Sequence, residues 1–279
     1  MQKIRQVDAD VFILDLEDSA TQDGKTEARN NVRRFLEQWQ PDGREIIVRV
    51  NGPDTPWCRD DIDSVVGLAA DGILIPKINS ADDVQRVEAM LNAAGAPPRM
   101  RLWCMIETPL SILNLQSIAQ LARASRMSVW VMGTNDLLKG LGAAQTPERS
   151  PLLYALSAAL MAARAYGIAI LDGVHNDIAD LDGLARTCEQ ARALGFDGKT
   201  LIHPSQVAIC NRVFSPDPQT VLQARKIIEA FERPENAGKG VLQVDGKMVE
   251  LLHVEIARGT IAIAEAIASR EATEVSRWK

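Results

Sequence analysis

The sequence predicts an α/β fold, a (β/α)8 barrel of the TIM type with a small C-terminal hairpin-plus-helix extension, and three observations carry that prediction. Short apolar, β-rich segments recur roughly every thirty residues and alternate with helix-like stretches, the signature of parallel βαβ units. The strands are apolar almost throughout, as in Gly72-Ile73-Leu74-Ile75-Pro76, which implies burial on both faces. No glycine-rich phosphate loop follows any strand, which favours a barrel over an open doubly wound sheet.

Seven strands are legible, at residues 11–16, 45–50, 72–77, 101–106, 128–132, 168–174 and 199–203. Helical spacing covers 82–94, 115–123, 151–166 and 181–194. An eighth strand belongs before residue 11, where residues 1–7 look like the tail of a helix, so the first strand is expected to be absent and the chain to begin late. After His203, Phe214-Ser215-Pro216-Asp217-Pro218 punctuates the chain and residues 219–231 read as a helix. Residues 241–244 and 247–250, joined by Asp245-Gly246, predict a hairpin, and 251–269 an amphipathic helix. The expected division is a catalytic barrel over 1–215 and a helix-hairpin-helix lid over 216–279. The lid is too small for an independent core, so it should dock on the barrel or cover a neighbouring subunit's site.

Of the 279 residues 46% are apolar and 24% charged, which suits a globular chain with a large core. A formal charge of −6 argues against nucleic acid or an anionic membrane as partner. Cys58, Cys104, Cys188 and Cys210 show no paired spacing, so neither a disulfide framework nor a structural zinc site is indicated. The N-terminus lacks a secretory core, and no apolar run approaches the roughly 20 residues of a membrane span. A soluble, cytoplasmic protein is expected.

In a β/α barrel the reactive groups come from the C-terminal ends of the strands. The first strand ends in Asp15-Leu16-Glu17-Asp18, three carboxylates that need a cation, a metal or a substrate close by. A plainer alternative pairs two of these acids with Lys25 and Arg29. The second strand carries Arg49 and Asn51, the third ends at Lys77, the fourth at Glu107, the fifth runs to Asp136, the sixth carries Asp172 and the seventh ends at His203. Glu107 and Asp136 stand on successive strands about 4.8 Å apart, so both can reach one ion. Two carboxylates with the other positions left to water and substrate is a common way to hold Mg²⁺. Equally, the pair could cap helices or bind arginine. Arg49, in the core strand Ile47-Val48-Arg49-Val50, cannot shed its charge and requires an anionic partner, either a ligand or the strand-end acids. His203 before Pro204 reads as a hydrogen-bonded structural residue, and Lys77 and Lys199 as salt-bridge partners rather than Schiff-base lysines.

The motifs Asp15-Leu16-Glu17-Asp18 with Lys25 and Ala28-Arg29, Val48-Arg49-Val50-Asn51, Ile75-Pro76-Lys77 and Ile106-Glu107-Thr108 occur in that order. Gly133 with Asp136-Leu137, then Gly195-Phe196, Gly198-Lys199 and Ile202-His203-Pro204 with Gln206, complete the set. Together they resemble the citrate lyase β-subunit-like acyl-CoA ester lyases, within the HpcH/HpaI aldolases. The resemblance implies a Mg²⁺-dependent barrel enzyme that makes or breaks a C–C bond between an acyl-thioester enolate and a 2-oxo acid. The thioester would be citramalyl-CoA, malyl-CoA, citryl-CoA or an acyl-ACP. It further implies Glu107 and Asp136 as metal ligands, Arg49 facing the reacting carbonyl oxygen, and Arg49, Asn51 and Glu107 in substrate binding.

Aspartate at position 18, where pyruvate aldolases of the wider family carry histidine, indicates the thioester branch and makes Asp18 a catalytic candidate. The hairpin sequence Gly246-Lys247-Met248-Val249-Glu250 matches the family's acid–base segment, with Glu250 where aspartate is common. The family's opening strand, with an arginine for the CoA phosphates, would lie upstream of residue 1. A homo-oligomer, such as a trimer, is implied. The alternatives are a citryl-ACP lyase β subunit, a hydroxyacyl-CoA thioesterase and a non-catalytic metabolite-binding barrel.

Overall fold

The computed structural model describes residue 4 and residues 6–277, so the helix tail expected over 1–7 lies partly outside the described residues. The chain forms two compact units, Met1–Cys210 and Asn211–Lys279.

The first unit is built on a parallel sheet of seven strands in sequence order: β1 (Val11–Asp15), β2 (Glu45–Arg49), β3 (Gly72–Ile75), β4 (Arg101–Ile106), β5 (Met127–Met132), β6 (Ala169–Asp172) and β7 (Gly198–Lys199). Each step of the sheet needs a crossover, supplied here by helices. These are α1 (Lys25–Gln38), α2 (Cys58–Val65), α3 (Ala81–Ala93), α4 (Pro109–Leu113), α5 (Leu115–Gln120), α6 (Thr134–Leu141), α7 (Leu153–Tyr166) and α8 (Leu181–Leu194), with α9 (Val207–Phe214) following β7.

Alternation along each strand sorts side chains to two faces. On one face Ile47, Leu74, Trp103, Met105 and Val131 form a single buried cluster, with Val11, Ile13, Val129 and Leu171 packed against it. Residues of six strands can meet in one cluster only because the sheet curls. The opposite face carries Ile46, Val48, Ile73, Ile75, Cys104, Trp130 and Ile170, all wholly buried. Each such aliphatic side chain contributes about 1.5–3 kcal/mol of burial free energy. Burial of both faces explains why the strands read as unbroken apolar runs.

Three strands end two or more residues earlier than their apolar runs suggest: β6, expected to reach 174, stops at Asp172, and β3 and β7 are also cut short. β3 stops at Ile75 because Pro76 has no N–H for the ladder and Lys77 turns out of line with φ of 55°. The seventh strand, expected over 199–203, is confined to Gly198–Lys199. Thr200 N–H still bonds the carbonyl of Asp172, the last residue of β6, at 2.9 Å, and there the partner strand runs out. His203 therefore ends no strand. Its ring caps a 3-10 turn over Pro204–Gln206, accepting from the Ser205 amide at 3.2 Å.

In the second unit α10 (Pro218–Glu232) starts at Asp217, whose carboxylate accepts from the amides of Gln219 and Thr220. It packs on α11 (Leu251–Arg277). Between them β8 (Val241–Val244) and β9 (Lys247–Glu250) form the antiparallel hairpin. Asp245 and Gly246 have φ of 47° and 78°, the doubly left-handed turn that an Asp-Gly pair favours. No described helix is long and apolar enough to cross a membrane.

Candidate active site

The C-terminal ends of β1 to β5, with residues 200–202, surround a cavity of about 300 Å³ lined by Asp15, Asp18, Arg49, Met105, Glu107 and Asp136, among others. Asp15 and Arg49 are register partners at the ends of β1 and β2. Alternation points both to the concave face, after Ile13 and Ile47.

The Arg49 guanidinium grips Asp15 with two bonds of 2.7 Å, from Nε and from Nη2. Glu17 lies 3.2 Å from Nη1 and Asp18 3.3 Å from Nη2. Asp15 in turn accepts the amides of Glu17 at 2.9 Å and Ser19 at 3.0 Å, so the acidic loop folds back on its own first carboxylate. Burial works against the Arg49 charge, but Asp15, Glu17 and Asp18 outweigh it and hold the guanidinium above its ordinary value. Burial likewise pushes the Asp15 carboxyl up, and Arg49 with the two amides more than reverses that, leaving it below the usual range. This pair stays charged. The Nη1 group also faces Met105 Sδ at 3.9 Å, a weak acceptor that leaves this N–H for an oxygen in the cavity.

Glu107 follows β4 directly and is 3% exposed. Its position is fixed from behind: Thr108 and Ser111 form a reciprocal capping box and Pro109 takes the first turn of α4. Oε1 accepts the Lys77 amide at 2.7 Å. The other oxygen lies over Gly133, where a Cβ would fall closer than the 3.0 Å that real Cβ atoms essentially never breach. Asp136 sits in the first turn of α6, just after Gly133. Burial, with the charges of Glu17 and Asp136, pushes the Glu107 carboxyl up to about 7 despite the Lys77 amide and ammonium.

Among the described residues, five carboxylates (Asp15, Glu17, Asp18, Glu107 and Asp136) gather at and beside the cavity, and Arg49 and Lys77 are the cations that pair with side chains of this group. Such an excess of negative charge suits a divalent cation. The chemistry of Glu107 and Asp136 suits Mg²⁺, with two carboxylates from the protein and an open cavity for water and substrate; among the described residues no cluster of three or more His, Cys, Asp or Glu is placed to hold an ion.

The carboxylates of the acidic loop do not pair with Lys25 or Arg29. Lys25 Nζ donates to the carbonyls of Leu16 and Glu17, and Arg29 pairs with Asp60 and Asp61. Nor does Asn51 line the cavity. Only 3% exposed, it donates its amide to the Leu16 carbonyl at 3.0 Å and to Asp61, bracing the acidic loop from below. Asp172 is wholly buried between Arg149 (2.8 Å) and Lys199 (2.7 Å), a structural ion triad outside the cavity. Glu250 belongs to the second unit, at the end of β9, where its amide donates to His253 Nδ1 at 3.0 Å.

The HpcH/HpaI aldolase/citrate lyase family model matches residues 1–204. The chain belongs to this family. A (3S)-malyl-CoA thioesterase of Cereibacter sphaeroides is 48% identical over 96% of this chain and 91% of its own length. The citrate lyase subunit beta of Escherichia coli is 34% identical over 94% and 88% respectively. Among solved structures, the CitE protein of Mycobacterium tuberculosis in complex with magnesium, acetoacetate and coenzyme A superposes with a TM-score of 0.73 at 28% identity, covering 94% of each chain. Members of the family are enzymes, lyases among them.

Lys77 and Gly133 were not singled out as site residues by charge and strand position. The φ of Lys77 has no sequence signal, whereas a glycine three residues before Asp136 is one: only hydrogen fits against Glu107.

Proposed function

We propose that this protein is a Mg²⁺-dependent enzyme acting on a malyl-type 3-hydroxyacyl-CoA thioester, cleaving or forming the C–C bond between an acyl thioester and a 2-oxo acid. The observation that carries this reading is two carboxylates, the buried Glu107 and the half-buried Asp136, lining one cavity with an arginine that keeps an N–H turned inward. Glu107 and Asp136 would hold the cation, which when bound acts as a Lewis acid toward the hydroxy-carboxylate end of the substrate. In the cleavage direction the hydroxyl gives up its proton, the electrons of the C–C bond pass to the thioester fragment as an enolate, and the other fragment leaves as the 2-oxo acid. Arg49 Nη1 faces the enolate oxygen and stabilises its charge. The Asp15 bridge holds the guanidinium in place for this. Asp18, exposed at the mouth, is the proposed proton acceptor at the substrate end. Glu250, contributed by a neighbouring copy, is the proposed acid that protonates the enolate carbon. The same reading completes the curled sheet as a (β/α)8 barrel, divides the chain into a 1–215 catalytic domain and a 216–279 lid, and makes the protein a cytoplasmic homo-oligomer.

A second reaction at the same site is hydrolysis, with water adding to the thioester carbonyl and Arg49 receiving the oxyanion. The name of the 48% identical relative favours it. The test is to offer (3S)-malyl-CoA, citramalyl-CoA and citryl-CoA, following 2-oxo acid and free thiol separately, with and without EDTA. Cleavage yields 2-oxo acid without thiol, and hydrolysis yields thiol without 2-oxo acid. EDTA abolishes either. Turnover that survives EDTA, or none with any of the three, would overturn the proposal.

A further inference from the structure

Ile75 pairs with Cys104 across β3 and β4, so Lys77, two residues on, would face Ile106 if the ladder continued. It does not continue. With φ of 55°, a conformation unfavourable for an L side chain, Lys77 presents its amide to the Glu107 carboxylate instead of to a strand carbonyl. Its ammonium goes the other way, donating to Glu17 Oε1 at 2.6 Å, while Glu17 Oε2 stands 3.2 Å from Arg49 Nη1. One strained residue thus ties the carboxylate after β4 to the acidic loop after β1, through its main chain and its side chain separately.

We propose that Lys77 is a positioning residue with two separable arms: its main-chain amide fixes Glu107 so that the second carboxylate oxygen meets the cation, and its ammonium holds Glu17 against one side of Arg49 Nη1 so that the N–H facing Met105 is left for substrate. This rests on the reading of Glu107 as cation ligand and of Arg49 as oxyanion donor.

The arms are separated by measuring Mg²⁺ affinity calorimetrically without substrate, and kcat and KM with the thioester that turns over, for Lys77→Val, Lys77→Gly and Lys77→Met. Thermal unfolding serves as a fold control. A β-branched valine resists the left-handed backbone, so it should misplace the amide and weaken Mg²⁺ binding about 10–100-fold, the usual effect of losing a ligand's outer partner. Glycine accepts that backbone and methionine keeps the unbranched shape of lysine, so both should bind Mg²⁺ as the wild type does. Both lack the ammonium and should lose about tenfold in kcat with little change in KM. Valine with wild-type affinity, weakened Mg²⁺ binding in the glycine or methionine variant, or an unchanged kcat in methionine would each overturn the proposal. Should valine fail to fold, the other two variants still decide. If instead Glu107→Gln binds Mg²⁺ like the wild type, the underlying reading of the site fails, whatever the Lys77 variants do.

Discussion

Replacing Gly133 by alanine adds one methyl group at the point where α6 begins, and the structure specifies where that methyl goes. Gly133 has φ of −92° and ψ of 78°, near the inverse-γ conformation that alanine also adopts, so the effect is chiefly steric. The new Cβ would lie under 3.0 Å from both the Cβ and a carboxylate oxygen of Glu107, where ordinary contact is 3.4–4 Å. Glu107 Cβ is close to the backbone of a buried strand end and cannot swing away, so the carboxylate or the first turn of α6 must move by on the order of 1 Å. Overpacking of this kind destabilises by about 1–3 kcal/mol. A ligand displaced by about 1 Å should weaken Mg²⁺ binding some 10–100-fold and lower turnover by about 10²-fold. Titration calorimetry with Mg²⁺ and a steady-state assay of the same preparation would measure both. A Gly133→Ala protein that binds Mg²⁺ like the wild type would refute the placement of Glu107 as a cation ligand pressed against this glycine.

Arg49→Lys keeps a charge but not the fork that grips Asp15 while presenting a third nitrogen, so kcat/KM should fall by about 10²–10³-fold; a near-normal value would remove Arg49 from the chemistry. Asp172→Ala strands Arg149 and Lys199 as buried cations and should cost about 3–5 kcal/mol in urea unfolding; a loss below about 1 kcal/mol would show the triad to be solvated. Asp83 caps α3 by accepting the amides of Asn79 and Ser80, and although burial pushes its carboxyl up, these bonds with Ser80 Oγ and Arg86 hold it below its ordinary 3.8. A lowered folded value means stability present above 3.8 and lost as pH falls through the folded value. Asp83→Ala should therefore be about 1 kcal/mol less stable than wild type at neutral pH, with the gap closing in acid. A gap independent of pH would contradict the cap.

What the sequence made legible follows from periodicity. Unbroken apolar runs located the strands, and counting by twos from Ile13, Ile47 and Met105 leads to Asp15, Arg49 and Glu107 on the concave face. The same parity explains Asp172. Leu171 faces the inner cluster, so its neighbour must point outward, away from the cavity and toward Arg149. Strand position alone could not show this. Asn51 lies beyond the end of β2, where the count no longer holds, and its side chain turns to Leu16 and Asp61. The need of Arg49 for an anionic partner was evident from its charge, but the choice of Asp15, Glu17 and Asp18 over the pairs with Lys25 and Arg29 is a matter of register and loop path. The end of β7 was missed because apolar residues 201–202 continue the run after the neighbouring strand has stopped.

The central claim is most directly examined by growing crystals in Mn²⁺ and computing the anomalous difference map. The account predicts a single strong peak in the cavity, within coordination distance of one oxygen of Glu107 and one of Asp136, and its disappearance in Glu107→Gln. A peak held by other residues, or none at saturating Mn²⁺, would contradict it.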